Sequence, residues 1–118
     1  MSIREKAKKV VHGTAAAGAL TVAVLPIGPD AIALRGEEIA AIIVVAKLYN
    51  RKITEGAASG LMASGFAQMV GEKLALAALE ASNAAGPAAY FIKAGIAVSL
   101  IEAVGNCAID YFEELAES

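Results

Sequence analysis

Eight consecutive residues without a polar side chain, Ile39–Ala46, set the strongest constraint on how this chain can fold. They lie in the second half of a segment, Pro26–Asn50, that opens on a proline-glycine turn and ends next to the basic Arg51 and Lys52. Pro26 and Pro29 end any helix before them, because proline lacks the amide that continues the ladder and restricts the residue preceding it. Asp30 is then placed to cap a second helix by accepting from its orphan amides. Lys47, Arg51 and Lys52 suit the negative carboxyl end of that helix, and Asn50 is the residue expected to end it in a left-handed conformation. A helix apolar all round is expected to be buried on all sides, at the centre of a bundle or in lipid.

Three further helices are expected around this one. Ser2 to about Leu25 reads as the first, with Val10–Pro29 free of formal charge and therefore long enough to raise the question of a membrane span. His12, Thr14 and Thr21 make it a poor span, and embedding in a bundle is the expectation. Gly13, Ala17 and Thr21, and separately Ala15, Ala19 and Ala23, form small-residue stripes at four-residue spacing that permit close backbone approach. Thr54 is expected to cap a third helix from Glu55 to about Ser82. Its Gly56, Gly60, Ala63, Ser64, Ala67, Gly71 and Ala78 fall in one shallow groove opposite Met62, Phe66, Met69, Val70 and Leu76. Glycine within a helix costs about 0.5–1 kcal/mol against alanine. Several on one face point to a compensating close contact, so Gly56, Gly60, Ala63, Ala67 and Gly71 are the expected helix-packing or interface residues.

Asn83–Gly86 then turns the chain, and Pro87 suits the first position of a fourth helix reaching about Ala116. That helix is amphipathic. Gly95, Ser99, Glu102, Asn106, Asp110 and Glu113 share one stripe; Ala97, Leu100, Ile101, Val104, Ala108, Tyr111 and Leu115 form the other. So long a polar stripe faces water, either bulk solvent or the lumen of an oligomer lined by Ser99, Glu102 and Asn106. For Glu102 the solvated reading outweighs a buried proton carrier. Lys93 falls opposite the stripe, its stem expected to snorkel along an interface.

With 118 residues the chain is one domain, 1–118, large enough for a modest core. Its hydrophobic fraction of 58% exceeds the roughly 45–50% usual for soluble domains. The surplus beyond alanine belongs in an oligomer interface, a partner or a lipid. A net charge of −2 argues against nucleic acid, which calls for concentrated Lys and Arg. Arg4, Lys6, Lys8 and Lys9 are nonetheless crowded ahead of an apolar helix, where they could contact anionic lipid headgroups; a solvated helix end is the plainer reading. The amino terminus imitates a secretory signal but offers no small-x-small cleavage site near Pro26–Pro29, so a retained helix is expected.

Catalytic and metal chemistry finds little support. One cysteine and one histidine cannot build a typical zinc site within one chain, and Cys107 fits a reducing compartment as a small core residue. Glu37 and Glu38 point about 100° apart on a helix without a Glu-x-x-His companion, which leaves a di-iron bundle unsupported. No cofactor is expected, and no enzymatic activity.

The order of features, Pro26-Ile27-Gly28-Pro29-Asp30, then Ala46-Lys47-Leu48-Tyr49-Asn50, then a Gly/Ala/Ser helix, then Ala108-Ile109-Asp110-Tyr111-Phe112, resembles a known helical domain. It is the domain of unknown function found carboxyl-terminal to GTPase domains in some bacterial GTP-binding proteins and in related small membrane-linked proteins. The resemblance covers residues 15–112. It departs at Asn50, where the family has a Leu-Tyr-Gly-like turn, and at Ala85-Gly86-Pro87, which replaces a Pro-x-x-Gly turn. It implies an all-helical, often membrane-associated domain without catalytic residues, and a GTPase as partner. The chain has no phosphate-binding Gly-x-x-x-x-Gly-Lys-Ser/Thr loop of its own.

These readings converge on an all-α, Ala/Gly-rich four-helix bundle of tightly packed helical hairpins, expected to be a homo-oligomer. The expected function is non-enzymatic scaffolding, self-associating and peripheral to a membrane or larger assembly, in the cytoplasm or on the inner face of the membrane. The alternatives are an oligomeric pore or carrier enclosing a lipid-like ligand, and an adaptor for a separately encoded GTPase.

Overall fold

Ser2 starts the first helix by extending its own backbone and accepting the Glu5 amide on Oγ at 3.1 Å, which satisfies one of the orphan donors of the first turn. The computed structural model describes residues 2–25, 29–63 and 87–117, and four helices with no strand are found among them. They are α1 (Ile3–Ala23), α2 (Pro29–Leu48), α3 (Glu55–Leu61) and α4 (Pro87–Glu117). The expected all-α class is what forms.

The helix ends follow local chemistry. Thr54 caps α3, its Oγ1 accepting from Ala57 N at 3.1 Å. Asn50 has φ 58°, and it closes α2 in a Schellman arrangement: Arg51 N donates to Ala46 O at 2.8 Å and Asn50 N to Lys47 O at 3.0 Å. Pro29 is the first residue of α2, which moves Asp30 from the expected cap into the first turn. Proline's fixed φ suits that opening position. Beyond Leu61 a wider turn continues through Met62 and Ala63. The rest of the expected third helix, with Ala67 and Gly71, and the turn at Asn83–Gly86 lie outside the described residues.

α1 and α4 run antiparallel in close contact, and both pack against α2, which also receives α3. Arg4 meets Asp110 and Glu113, His12 meets Glu102, and Leu25 meets Lys93, so the two helices are in register along their whole length. The buried stripe of α1 is Ala7, Val11, Ala15, Ala19, Val22 and Ala23. Of the two small-residue stripes, Ala15–Ala19–Ala23 faces inward while Gly13, Ala17 and Thr21 are exposed.

The core tapers. Phe112, Ile42, Ile109, Val45 and Val104 fill the end nearest Arg4, whereas among the described residues Ala19, Val22 and Ala97 are the fully buried members of the cluster at the other end. Leu34 and Val98 pack against this small cluster. On the surface of the same end Leu20, Val24, Ile32 and Phe91 are 57%, 68%, 77% and 73% exposed.

Two burial expectations need correction. The apolar run of α2 is not enclosed among the described residues: Ala41, Ile42, Val45 and Ala46 are buried, Ile39, Ile43 and Val44 half-buried, and Ala40 exposed. Its neighbours α1 and α4 cover one side, leaving a shallow depression of about 260 Å³ lined by Gly36, Ile39, Ala40, Ile43 and Val44 on the other. In α4, Tyr111 is exposed and Phe112, Ile109 and Gly105 are buried, because this helix contacts two neighbours and its buried arc is wider than one stripe.

Candidate functional site

At the charged end, the first turn of α1 is clamped to the last turns of α4. Arg4 donates to Glu113 Oε2 at 2.6 Å and to Asp110 Oδ1 at 2.9 Å, and the Tyr49 hydroxyl from the end of α2 donates to the same Glu113 oxygen at 3.2 Å. Hydrogen bonding to Glu113, and then to Asp110, holds the Arg4 guanidinium still more firmly protonated. Burial, with the Glu113 charge behind it, pushes the Tyr49 phenol up. Three helices thus meet on one carboxylate. Of the expected headgroup-binding residues, Arg4 is engaged within the chain, while Lys6, Lys8 and Lys9 are exposed.

Beside this clamp lies a half-open cavity of about 440 Å³. Ile53, Ala57, Leu61, Phe112 and Leu115 supply apolar walls, and Arg51 and Lys52 stand exposed at its edge. Its volume falls within the range of about 300–1,000 Å³ typical of small-molecule sites.

Glu38 is the most unusual side chain. It lies one turn from Leu34 and one from Ile42 on the core-facing stripe of α2, is only 5% exposed, and its Oε2 has no hydrogen-bond partner among the described residues. Burial raises its pKa from 4.5 to about 7, against the opposing pull of Arg35. The same spacing was legible in the sequence, since the i±4 positions of Glu38 are both large and apolar. Neighbouring Glu37 lies over α1 instead: a Cβ on Gly18 would stand 2.8 Å from its Oε2.

Midway along the bundle, His12 Nδ1 donates to Glu102 Oε1 in a short hydrogen bond that ties α1 to α4. Glu102 is therefore half-buried and partnered, between exposed Ser99 and Asn106 on the outward stripe of α4. Lys93 Nζ donates to Leu25 O at 2.5 Å, placing a cation at the carboxyl end of α1, whose own last turn has no basic residue.

Among the described residues, Gly56 and Gly60, two of the glycines expected to receive a neighbouring helix, meet none; Gly71 lies outside them. Nothing comes within 4 Å of a Cβ built on Gly60, and one on Gly56 would meet only its own cap residue Thr54 at 3.8 Å. Ala63 is exposed. Besides Gly18, a glycine at a close helix contact is Gly105, where a Cβ would stand against Val11 Cγ1 and 2.7 Å from Val11 Cγ2. Its signal in the sequence was its place between Ile101 and Ile109, four residues from each.

Among the described residues no group of three His, Cys, Asp or Glu is placed to hold a metal. Among the described residues one helical stretch, Tyr90–Glu117, is long and apolar enough to cross a membrane by length and composition; close to half of its qualifying window is buried against its neighbours. No family model, curated protein or solved structure matches the chain.

Proposed function

We propose that the chain is a non-enzymatic structural protein that self-associates and sits peripherally on a membrane or within a larger assembly. The observation that carries this is the exposure of large apolar side chains at the alanine end of the core: Leu20, Val24, Ile32 and Phe91, each more than half exposed. Covering a side chain of this kind contributes about 1.5–3 kcal/mol, so four give a contact enough driving force to offset the cost of association. Gly56, Gly60 and Ala63 add a second surface open to close approach, and Lys6, Lys8 and Lys9 are free to meet anionic headgroups at the opposite end. Light scattering over a range of concentrations, with flotation on anionic vesicles, tests the reading. The expected outcome is a mass above 11.9 kDa or co-flotation, reduced when Leu20, Val24, Ile32 and Phe91 are all replaced by Ser. A monomer that ignores vesicles at low salt removes it.

A second reading, a carrier of a lipid-like ligand, draws on the cavity beside Phe112. A lining of mixed polarity, with Ile53, Leu61 and Phe112 on its walls and Arg51 and Lys52 at the mouth, suits an amphiphile with an anionic head. Mass spectrometry of organic extracts from purified protein should recover such a molecule, and Phe112→Ala with Arg51→Ala should lower its yield.

A further inference from the structure

The exposed side of α1 carries a second apolar stripe, distinct from the one buried in the bundle. Ile3, Val10, Gly13, Ala17, Leu20 and Val24 all lie on it, and with Lys6 they recur at alternating intervals of three and four residues. Ile3, Val10, Leu20 and Val24 are 47%, 36%, 57% and 68% exposed, and nothing lies within 4 Å of a Cβ built on Gly13. We propose that this stripe is the self-association surface, pairing with α1 of a second copy in antiparallel orientation about a two-fold axis between Gly13 and Ala17. The inference rests on the self-association proposed above and assigns it to one helix face.

Three features select a helix as the occupant. A repeat alternating three and four residues keeps a seam in line with another helix over its whole length, as in coiled coils. The middle of the seam is Gly13 and Ala17, so two backbones can approach closely there, with larger residues above and below. In the antiparallel register Gly13 faces Ala17 of the second copy and Val10 faces Leu20 of the second copy, putting small against small and large against large.

Charge sets the orientation. Arg4, Lys6, Lys8 and Lys9 occupy the first half of α1, whereas no formally charged residue occurs from Val10 to Leu25. Parallel pairing would bring Lys6 against Lys6 and Lys9 near Lys9. Antiparallel pairing places each basic half beside an uncharged half, and the Lys6 stem can lie along Val24 with its ammonium in water. A single helix pair buries less than the roughly 1,200 Å² of a standard interface, so the dimer should be concentration-dependent.

Cysteine pairing tests the register in a Cys107→Ala background under mild oxidation. The chain carrying both Val10→Cys and Leu20→Cys should form a covalent dimer, while either single variant should not. The two positions are too far apart on one helix to bridge within a chain. Leu20→Glu should weaken dimerisation roughly tenfold or more, with unchanged helicity by circular dichroism, because that side chain lies outside the core. Self-crosslinking of the single variants would mean a parallel pair and overturn the proposal. An oligomer that forms without any of these crosslinks would overturn the surface while leaving self-association intact. A chain monomeric at every concentration would remove both. A monomer that floats on phosphatidylcholine–phosphatidylglycerol vesicles, and loses flotation with Leu20→Glu, would assign the stripe to lipid and overturn the pairing.

Discussion

A carboxylic acid with one oxygen unpartnered in a hydrophobic interior favours its neutral form, and for Glu38 the consequence is a stability that depends on pH. Its pKa of about 7 in the folded chain lies above the 4.5 of an exposed glutamate, so the folded state binds the proton more tightly than the unfolded one. The resulting stabilisation is fully present below 4.5 and is lost as pH rises through about 7. At about 1.4 kcal/mol per unit of difference, the whole effect is on the order of 3 kcal/mol. Glu38→Gln keeps the shape and removes the charge. Urea unfolding should show the variant more stable than the parent by about 2 kcal/mol near pH 8, with the gap closing towards pH 5. Parallel curves across that range would mean that Glu38 reaches water. Two glycines on facing helices offer a contrast in sign. Gly105→Ala drives a methyl group into Val11 and should destabilise by about 1–3 kcal/mol, relieved when Val11 is also cut to Ala. Gly18→Ala meets only the flexible end of Glu37, so higher helix propensity should make it neutral or stabilising by up to about 1 kcal/mol. Thermal melts of the two variants side by side decide this.

The ends of the elements are set by chemistry confined to a few residues. Asn50 adopts φ 58°, a conformation that glycine takes freely and that β-branched residues take at a cost. Asn50→Gly should therefore leave stability within a few tenths of a kcal/mol, whereas Asn50→Val should lower it by about 1–2 kcal/mol. A Val variant as stable as the parent would show that the Schellman closure contributes little. Thr54→Ala should cost about 1 kcal/mol through the lost bond to the Ala57 amide. Some of its effect should appear as faster amide exchange in Gly56–Ala58, a local readout that a purely global loss would not single out. The clamp of Arg4, Asp110, Glu113 and Tyr49 acts between elements, tying α1, α2 and α4 together at the end where the core is built from large residues.

Across the whole molecule the two ends differ in kind. One has large apolar residues inside and charges outside; the other has alanine inside and large apolar residues outside. Contacts with other copies should therefore concentrate along the outer face of α1, with the Arg51–Thr54 corner remaining in water. Hydrogen–deuterium exchange at rising protein concentration checks this: protection should grow along Val10–Leu25 and stay constant around Arg51–Thr54. Growth at the second region alone would place the contact by the cavity instead.

Much of the helical layout was legible along the chain. Thr54, Asn50 and Pro87 act within a turn of themselves, through amides and φ preferences that need no tertiary neighbour, so their positions could be read directly. The polar stripe Ser99–Glu102–Asn106 was legible for the same reason, since its period is a property of one helix. Which of two small-residue stripes on α1 turns inward was not, because Ala15–Ala19–Ala23 and Gly13–Ala17–Thr21 have the same period and nearly the same composition. Nor could one helix reveal which neighbours would enclose Glu38, which side chain Gly105 would meet, or that Glu113 would collect donors from residues 4 and 49. Those outcomes depend on where α1, α2 and α4 meet, and packing between helices fixes that only when all three are in place.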